Sequence, residues 1–405
     1  MPKFILAFLA LSICWLSCSK SNSSKTDPSG TTSPKTDNLL VYDITFTGTL
    51  YAFDATTGEV KWSNIYHRKW LDLVNIASPT IADTTLYVPT LDGNLHAVGT
   101  LSGKEKWQFP TPSVYSFFSN PTVANNILYV ADDANLYAVN TTTGKSLWQT
   151  PFDAYLSNSP TVDNGSVYAV NGDGHVYSYD AVTGAPKGSF GTLNFGFASP
   201  VVKNGIFYDI ALDDPTGEQY LNYFNVIDVN TGQGASGRQG YGIYGPGSGA
   251  NLGSPTIVDS IAYTSADSFV YAINTYYTGK ETPPNYNLVW RFKAGGTLVT
   301  SPTIDSTALY TIGSDNKLYA LDLKTGKQLW TYAFASPQPY PMVIASAVVA
   351  NGVVYFPSSN GFYAVWAKDG TLLWHAVPAE RFDATPCVLS KNGRIFQNSM
   401  SGSQN

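Results

Sequence analysis

Few side chains in this 405-residue chain are suited to chemistry: four His, three Cys and 29 Asp or Glu. His67, His96, His175 and His375 show no H-E-x-x-H spacing, so no two of them form a zinc-ligating pair on one helix face. The stretch NGDGHV (171–176) has the acid and glycine content of a calcium loop. However, 91–94 and 314–317 occupy the same slot of a repeat, and a slot shared in that way is a turn. GYGIYG (240–245) fits G-x-G-x-x-G in form, yet no strand-turn-helix pattern surrounds it, so it reads as a glycine-rich loop. His96 stands where the repeat otherwise has Tyr. Cys387 is the one cysteine in the body of the chain and reads as a small core residue. No nucleophile elbow G-x-S-x-G occurs.

The elements that must hold these residues are strands. Charged residues make up 13% and aromatics 14%, with 35 Gly and 24 Pro, a mixture that favours strands and turns over helices. The net charge of −6 is spread thinly, and no basic face points to nucleic acid. Residues 1–17 read as a signal peptide: Lys3 precedes an apolar run, Phe4 to Leu16, shorter than the roughly 20 residues of a membrane-spanning helix. The run ends in Trp15-Leu16-Ser17-Cys18, which resembles a bacterial lipoprotein signal and makes Cys18 the lipid acceptor. Residues 18–38 are Ser, Thr, Lys and Pro with little to bury, and read as a flexible tether. Ser19 fits an outer-membrane anchor facing the periplasm. The expected location is therefore the cell envelope, with membrane contact through the lipid alone.

One pattern dominates the rest. LYALDLKTGKQLW (318–330) recurs in eight versions, beginning at 50, 95, 136, 176, 224, 270, 318 and 362. A second signature, S-P-T-[IV] followed by a short apolar run, alternates with it at Pro79, Pro121, Pro160, Pro200, Pro255 and Pro302. SAVV (346–349) and TPCV (385–388) complete that series. A period near 40 residues filled with short strands means propeller blades. Asp322 and Thr325-Gly326 form a tight turn, because the Asp side chain bonds the backbone ahead and Gly accepts positive φ. Trp62, Trp107, Trp148, Trp290, Trp330 and Trp374 open the outer strands and offer large apolar surfaces to neighbouring blades.

The paired signatures Y-A-x-D-x-x-T-G-K-x-x-W and S-P-T-[IV] resemble those of the pyrroloquinoline-quinone-type (PQQ-like) repeat propellers, over residues 39–405. The resemblance implies four antiparallel strands per blade with the S-P-T strand innermost. LLVYDITF (39–46) matches a second strand with no S-P-T before it, and the chain ends with an extra first strand (385–389). The expected fold is all-β: an eight-bladed β-propeller closed by pairing of N- and C-terminal strands, with seven blades as the alternative. Quinoprotein dehydrogenases of this fold carry an adjacent Cys-Cys pair against the cofactor and a bound calcium. This chain has no Cys-Cys pair and lacks their large insertions, so neither cofactor nor metal is expected.

Function is then sought on the surface. Aromatic and Arg side chains gather in the stretches that run from each outer strand into the next S-P-T. Arg68, Trp70, Tyr115, Phe117, Phe118, Tyr155, Phe195, Phe197, Tyr241, Tyr244, Tyr340, Arg381 and Phe382 form the candidate binding face. Tyr66, Phe152 and Arg238 lie in the same stretches, and the alternative for any single ring is that it fills a gap between blades. The spacing also stretches to 55 residues between Pro200 and Pro255, where 212–223 and 232–253 read as long loops. The expected function is a non-catalytic, monomeric scaffold that binds a protein partner through inter-blade loops. The chain is similar in this respect to the propeller lipoprotein subunits of outer-membrane β-barrel assembly machinery, although their partner-binding loop sequence is not found here. A small-molecule or glycan-binding propeller is the alternative, and a quinone-dependent dehydrogenase the second alternative.

Overall fold

The computed structural model describes residues 37–67, 77–110, 119–152, 158–171, 174–192, 198–213, 221–234, 241–243, 253–276, 288–298, 300–335, 345–376 and 381–397. These fall in the unit Thr36–Asn405, and among them every regular element is a strand. The first blade sets the plan. Thr80–Ala82 is innermost, followed outward by Thr85–Pro89, Asn94–Gly99 and Glu105–Pro110 in one antiparallel sheet. The middle strands are buried almost throughout, because a blade on each side covers both faces. The outer strand alternates between exposed and half-buried residues.

Blades two to seven repeat this order, with inner strands beginning at Thr122, Thr161, Val201, Thr256, Thr303 and Val348. The eighth draws on both ends of the chain. Cys387–Ser390 is its inner strand and pairs with Asn38–Ile44, followed by Thr49–Asp54 and Val60–Ile65. Tyr42 faces Cys387 as Tyr87 faces Thr80 in the first blade, so the closure keeps the repeat register. The protein is an eight-bladed propeller, and the seven-blade alternative falls. One strand departs from the pattern. Asn38–Ile44 holds the second-strand position, as the match of 39–46 to a second strand implies. Ile395–Gln397 pairs instead on the other edge of Cys387–Ser390, inside the central channel between Thr80–Ala82 and Val348–Ala350.

The seams between blades have two layers. Near the axis, a backbone N–H in each blade donates to a side-chain oxygen at the same position of the next. The donors and acceptors run Ser78, Asn120, Ser159, Ser199, Ser254, Ser301, Ser346, Thr385 and back to Ser78, at 2.6–3.1 Å. Thr80, Thr122 and Thr256 reinforce this by donating their hydroxyls to the Pro carbonyls of the following S-P-T, at 2.7–2.8 Å. Farther out, each of the six tryptophans donates its indole N–H to a turn carbonyl of the next blade at 2.9–3.2 Å. The same indole lies flat on that turn's glycine. A Cβ at Gly326 would meet the Trp290 ring at 2.5 Å, so this glycine is required for close approach as well as for its φ of 69°.

Two seams lack the indole, and both border the fourth blade. Gly188 stands in the Trp position of the third blade, where Phe190 packs edge-on against Phe207. In the fourth blade the outer strand is split into Gln233–Gly234 and Tyr241–Ile243. Tyr241–Ile243 is thus a strand rather than loop, its β character hidden in the sequence by flanking glycines. Part of 212–223 is likewise strand: Ile206–Asp213 and Leu221–Asp228 pair over eight rungs, against five in the first blade. The added rungs lengthen this hairpin by roughly 10 Å.

The inner circle makes a direct prediction. Ser254→Ala leaves the buried Ser199 N–H without its partner and should cost about 1–3 kcal/mol in urea unfolding. Ser254→Thr, which mimics the natural Thr385, should restore most of the loss. An alanine variant as stable as the parent would show that the circle contributes nothing.

Candidate functional site

Strand direction sorts the connections onto two faces. Turns from inner to second strand, and the T-G turns from third to outer strand, share one face, called here the turn face. Turns from second to third strand share the opposite face with the connections from outer strand to next inner strand. The latter rest on the former: Tyr66 N–H bonds the Gly48 carbonyl, Phe152 the Ala134 carbonyl and Phe334 the Asn316 carbonyl. This second, loop face is where the aromatic stretches lie in the sequence.

Of the candidate residues, Arg68, Trp70, Tyr115, Phe117, Phe118, Tyr155, Phe195, Phe197, Tyr244 and Tyr340 lie outside the described residues. Tyr241 is placed by its backbone alone, at the start of the edge strand. Arg381 is partly exposed. Its Nε donates to Asp383 at 2.6 Å, and its guanidinium sits 5.5 Å from the centre of the Phe46 ring. Phe382 is a correction: it is fully buried, with its ring within 6.1 Å of Tyr51, Phe53 and Phe362. Tyr66 and Phe152 also fill gaps, against His96 and against Tyr177 and Tyr179. Phe109, Phe292 and Phe334 do the same at other seams. These rings form a second layer of packing at the loop-face end, and gap filling is the role of each described ring.

Several ionisable groups beneath this face escaped the sequence reading. His96 is clamped between Glu105 at 2.6 Å and Asp92 at 3.0 Å. Burial alone would depress the imidazole, but the hydrogen bonds to the two carboxylates outweigh it and hold its pKa above the ordinary histidine value. Asp92 also accepts from the Asn94 N–H and the Thr90 hydroxyl, the signature of a turn. Asp132 and Asp315 receive Tyr137 and Tyr319 hydroxyls in the corresponding turns, so the 171–176 motif belongs to a structural slot.

Asp43 and Asp209 occupy one repeat position, directly after the Tyr of the second strand, in blades on opposite sides of the ring. Other blades place Val88, Val130, Ala169, Thr264, Thr311 or Phe356 there. Burial raises Asp43 well above the carboxylate range, and the nearby Asp383 adds to the effect. Burial also lifts Asp383, against the pull of Arg381. One oxygen of each has no hydrogen-bond partner among the described residues. Burial raises Asp209 to about 7, although Asn225 donates to it at 2.6 Å. Cys387 is a free, buried thiol, pushed up by burial and by Asp43.

The channel is partly filled by the chain itself. Ile395–Gln397 lies along its wall, and the Gln397 side-chain oxygen accepts the Ile81 N–H at 2.9 Å. Among the described residues, no group of three His, Cys, Asp or Glu side chains is arranged to hold a metal ion. The described residues therefore do not fit the quinone and calcium cradle of the dehydrogenases: the lone thiol is sealed in a seam, and the paired acids Asp43 and Asp383 lack a third ligand.

The family model described as "Outer membrane protein assembly factor BamB" matches residues 19–116, 115–187 and 257–402. The chain belongs to this family of PQQ-like repeat propellers. The crystal structure of BamB from Moraxella catarrhalis is 16% identical, covers 90% of this chain and 93% of its own, and has a TM-score of 0.54. The computationally designed protein Ika8 is 14% identical over 80% of this chain and 97% of its own, with a TM-score of 0.58. Both likenesses concern the fold. A polyvinylalcohol dehydrogenase from Sphingopyxis sp. (strain 113P3) is 30% identical over 173 residues, 36% of this chain and 25% of that protein. The chain thus spans about a quarter of that relative's length.

The buried acid of the fourth blade gives the site a pH signature. Asp209 keeps its proton in the fold up to about pH 7 and ionises freely once unfolded, so the folded state binds more protons in between. Stability should fall as pH rises from about 4 to about 7, by up to about 1.4 kcal/mol per unit. Asp209→Asn should flatten that slope and raise the melting temperature at pH 8. Melts at a series of pH values check this, and an unchanged slope would reject the assignment.

Proposed function

We propose that the protein is a non-catalytic scaffold of the cell envelope, anchored in the outer membrane through Cys18, that binds a protein partner through its loop face in outer-membrane protein assembly. The observation that carries this reading is the division of labour between the faces. The described strand ends that every aromatic inter-blade connection joins, together with the long fourth-blade hairpin, open on one side of a rigid ring. Surface variation on a rigid frame is the usual basis of recognition. Membership of the BamB family supports the partner class, and the Trp15–Cys18 motif supports the anchor. A pull-down with the mature chain should recover an outer-membrane assembly component. Replacing Phe117, Phe118 and Tyr155 with Ala should reduce recovery at least tenfold without changing the melting temperature. Equal recovery with the triple variant would exclude this part of the face.

The partial match to a polyvinylalcohol dehydrogenase favours a second reading, a quinone-dependent oxidoreductase. Against it stand the absence of a Cys-Cys pair in the sequence and the strand in the channel. Protein incubated with the quinone and calcium should fail to reduce an acceptor dye with polyvinyl alcohol or secondary alcohols. Sustained turnover above a denatured control would replace the scaffold reading with the enzymatic one.

A further inference from the structure

The turn face has its own pattern. Nine large apolar side chains are strongly exposed on the described surface. Val60, Ile65, Leu147, Val289, Leu329 and Leu372 lie on outer strands, where Leu and β-branched residues suit an edge. The other three, Leu101, Val182 and Tyr276, have no such reason. Leu101 and Val182 sit in the third-to-outer turns of the first and third blades, Tyr276 lies just past the third strand of the fifth, and they are 64%, 69% and 72% exposed. The turn does not require them: the same slot holds Thr56, Thr142, Asn230, Lys324 and Lys368 in the other blades. Since all these turns end on one face, three apolar tips on alternate blades define a plane.

Two further observations say what that plane meets. The chain enters the propeller on this face: the Leu39 carbonyl accepts from Ala55 in a T-G turn, and the Asp37 carbonyl accepts from Lys391 in an inner turn. Cys18 lies 19 positions before Asp37 in the sequence, so an anchor at Cys18 would join the propeller from this face. Three carboxylates of the third-to-outer turns are also paired with lysines, Asp54 with Lys61, Asp180 with Lys187 and Asp369 with Lys368.

We propose that the turn face docks on the lipid bilayer, with Leu101, Val182 and Tyr276 entering the boundary between headgroups and acyl chains. The inference rests on the anchored reading above and extends it. Docking turns the loop face away from the membrane, towards a partner.

The test imposes the anchor so that only the face is in question. Residues 19–405 carrying an N-terminal polyhistidine tag are held on vesicles of phosphatidylethanolamine and phosphatidylglycerol containing a nickel-chelating lipid. A bimane label is placed at Thr142→Cys on the turn face or at Ala134→Cys on the loop face, and quenching by brominated lipid is measured. Quenching at 142 should exceed that at 134 at least twofold. The triple variant L101S/V182S/Y276S should abolish the difference with an unchanged melting temperature. Equal quenching at both sites, or a difference that survives the triple variant, would overturn the proposal. Separately, failure of Cys18 to take up labelled palmitate in cells would remove the anchor without altering the vesicle result.

Discussion

A circle of eight hydrogen bonds around the axis is the constraint on which the rest of the molecule depends. Each blade gives one backbone N–H to the side-chain oxygen of its neighbour, and Thr385 returns the bond to Ser78. Because six of the eight donor residues are buried, a blade that slips there leaves an unsatisfied group. The circle also explains the radial order of side chains. Sheets arranged like spokes are closest near the axis, where Ser, Thr and Asn fit between them. They diverge outward, and there an indole is needed to fill the wedge. Small polar contacts within and large aromatic contacts without are two consequences of one geometry.

The fourth blade is where this regularity is relaxed. It lacks the indole at both seams, splits its outer strand, lengthens its central hairpin and buries Asp209 against Asn225, one of whose polar atoms has no partner among the described residues. Departures of this kind, concentrated in one blade of an otherwise uniform ring, are characteristic of regions shaped by function. The loop face thus combines seven conforming blades with one that stands proud of them. The frame shared with the family accommodates several activities, so the specificity of this member resides in those departures.

Much of the fold was legible because the same physics is written eight times. The T-G turns, the tryptophans and the half-blade at each end led directly to a closed ring of eight. The S-P-T serine was visible as a signature but not as a bond, since its role exists only between blades. A small oxygen-bearing residue at every equivalent position, including Asn120 and Thr385, was the signal that pointed to it. Glycines hid the edge strand at Tyr241–Ile243. The final strand, Ile395–Gln397, was not foreseen because it lies outside the four-strand plan, Asn38–Ile44 already holding the position beside Cys387–Ser390 that it would otherwise fill. Phe382 read as a surface ring because aromatic content alone does not distinguish a contact from a filler. The acids Asp43 and Asp209 went unremarked, although an acid among Val, Ala, Thr and Phe at a buried repeat position marks an atypical environment.

The joint between the two ends of the chain has a consequence for how the molecule comes into being. Trp374 and Ala55, bonded across the last seam, are 319 residues apart, while most other contacts are made between adjacent repeats. Neighbouring blades can therefore stack as soon as they are synthesised, but the eighth blade lacks its inner strand, and the circle of hydrogen bonds its last link, until Thr385 and Cys387–Ser390 are made. A chain cut near residue 380 would keep the Trp374 seam but lose the inner strand of the eighth blade, leaving one edge of Asn38–Ile44 and the Ser346 N–H without their partners. For this architecture, one short strand weighs far more than its length.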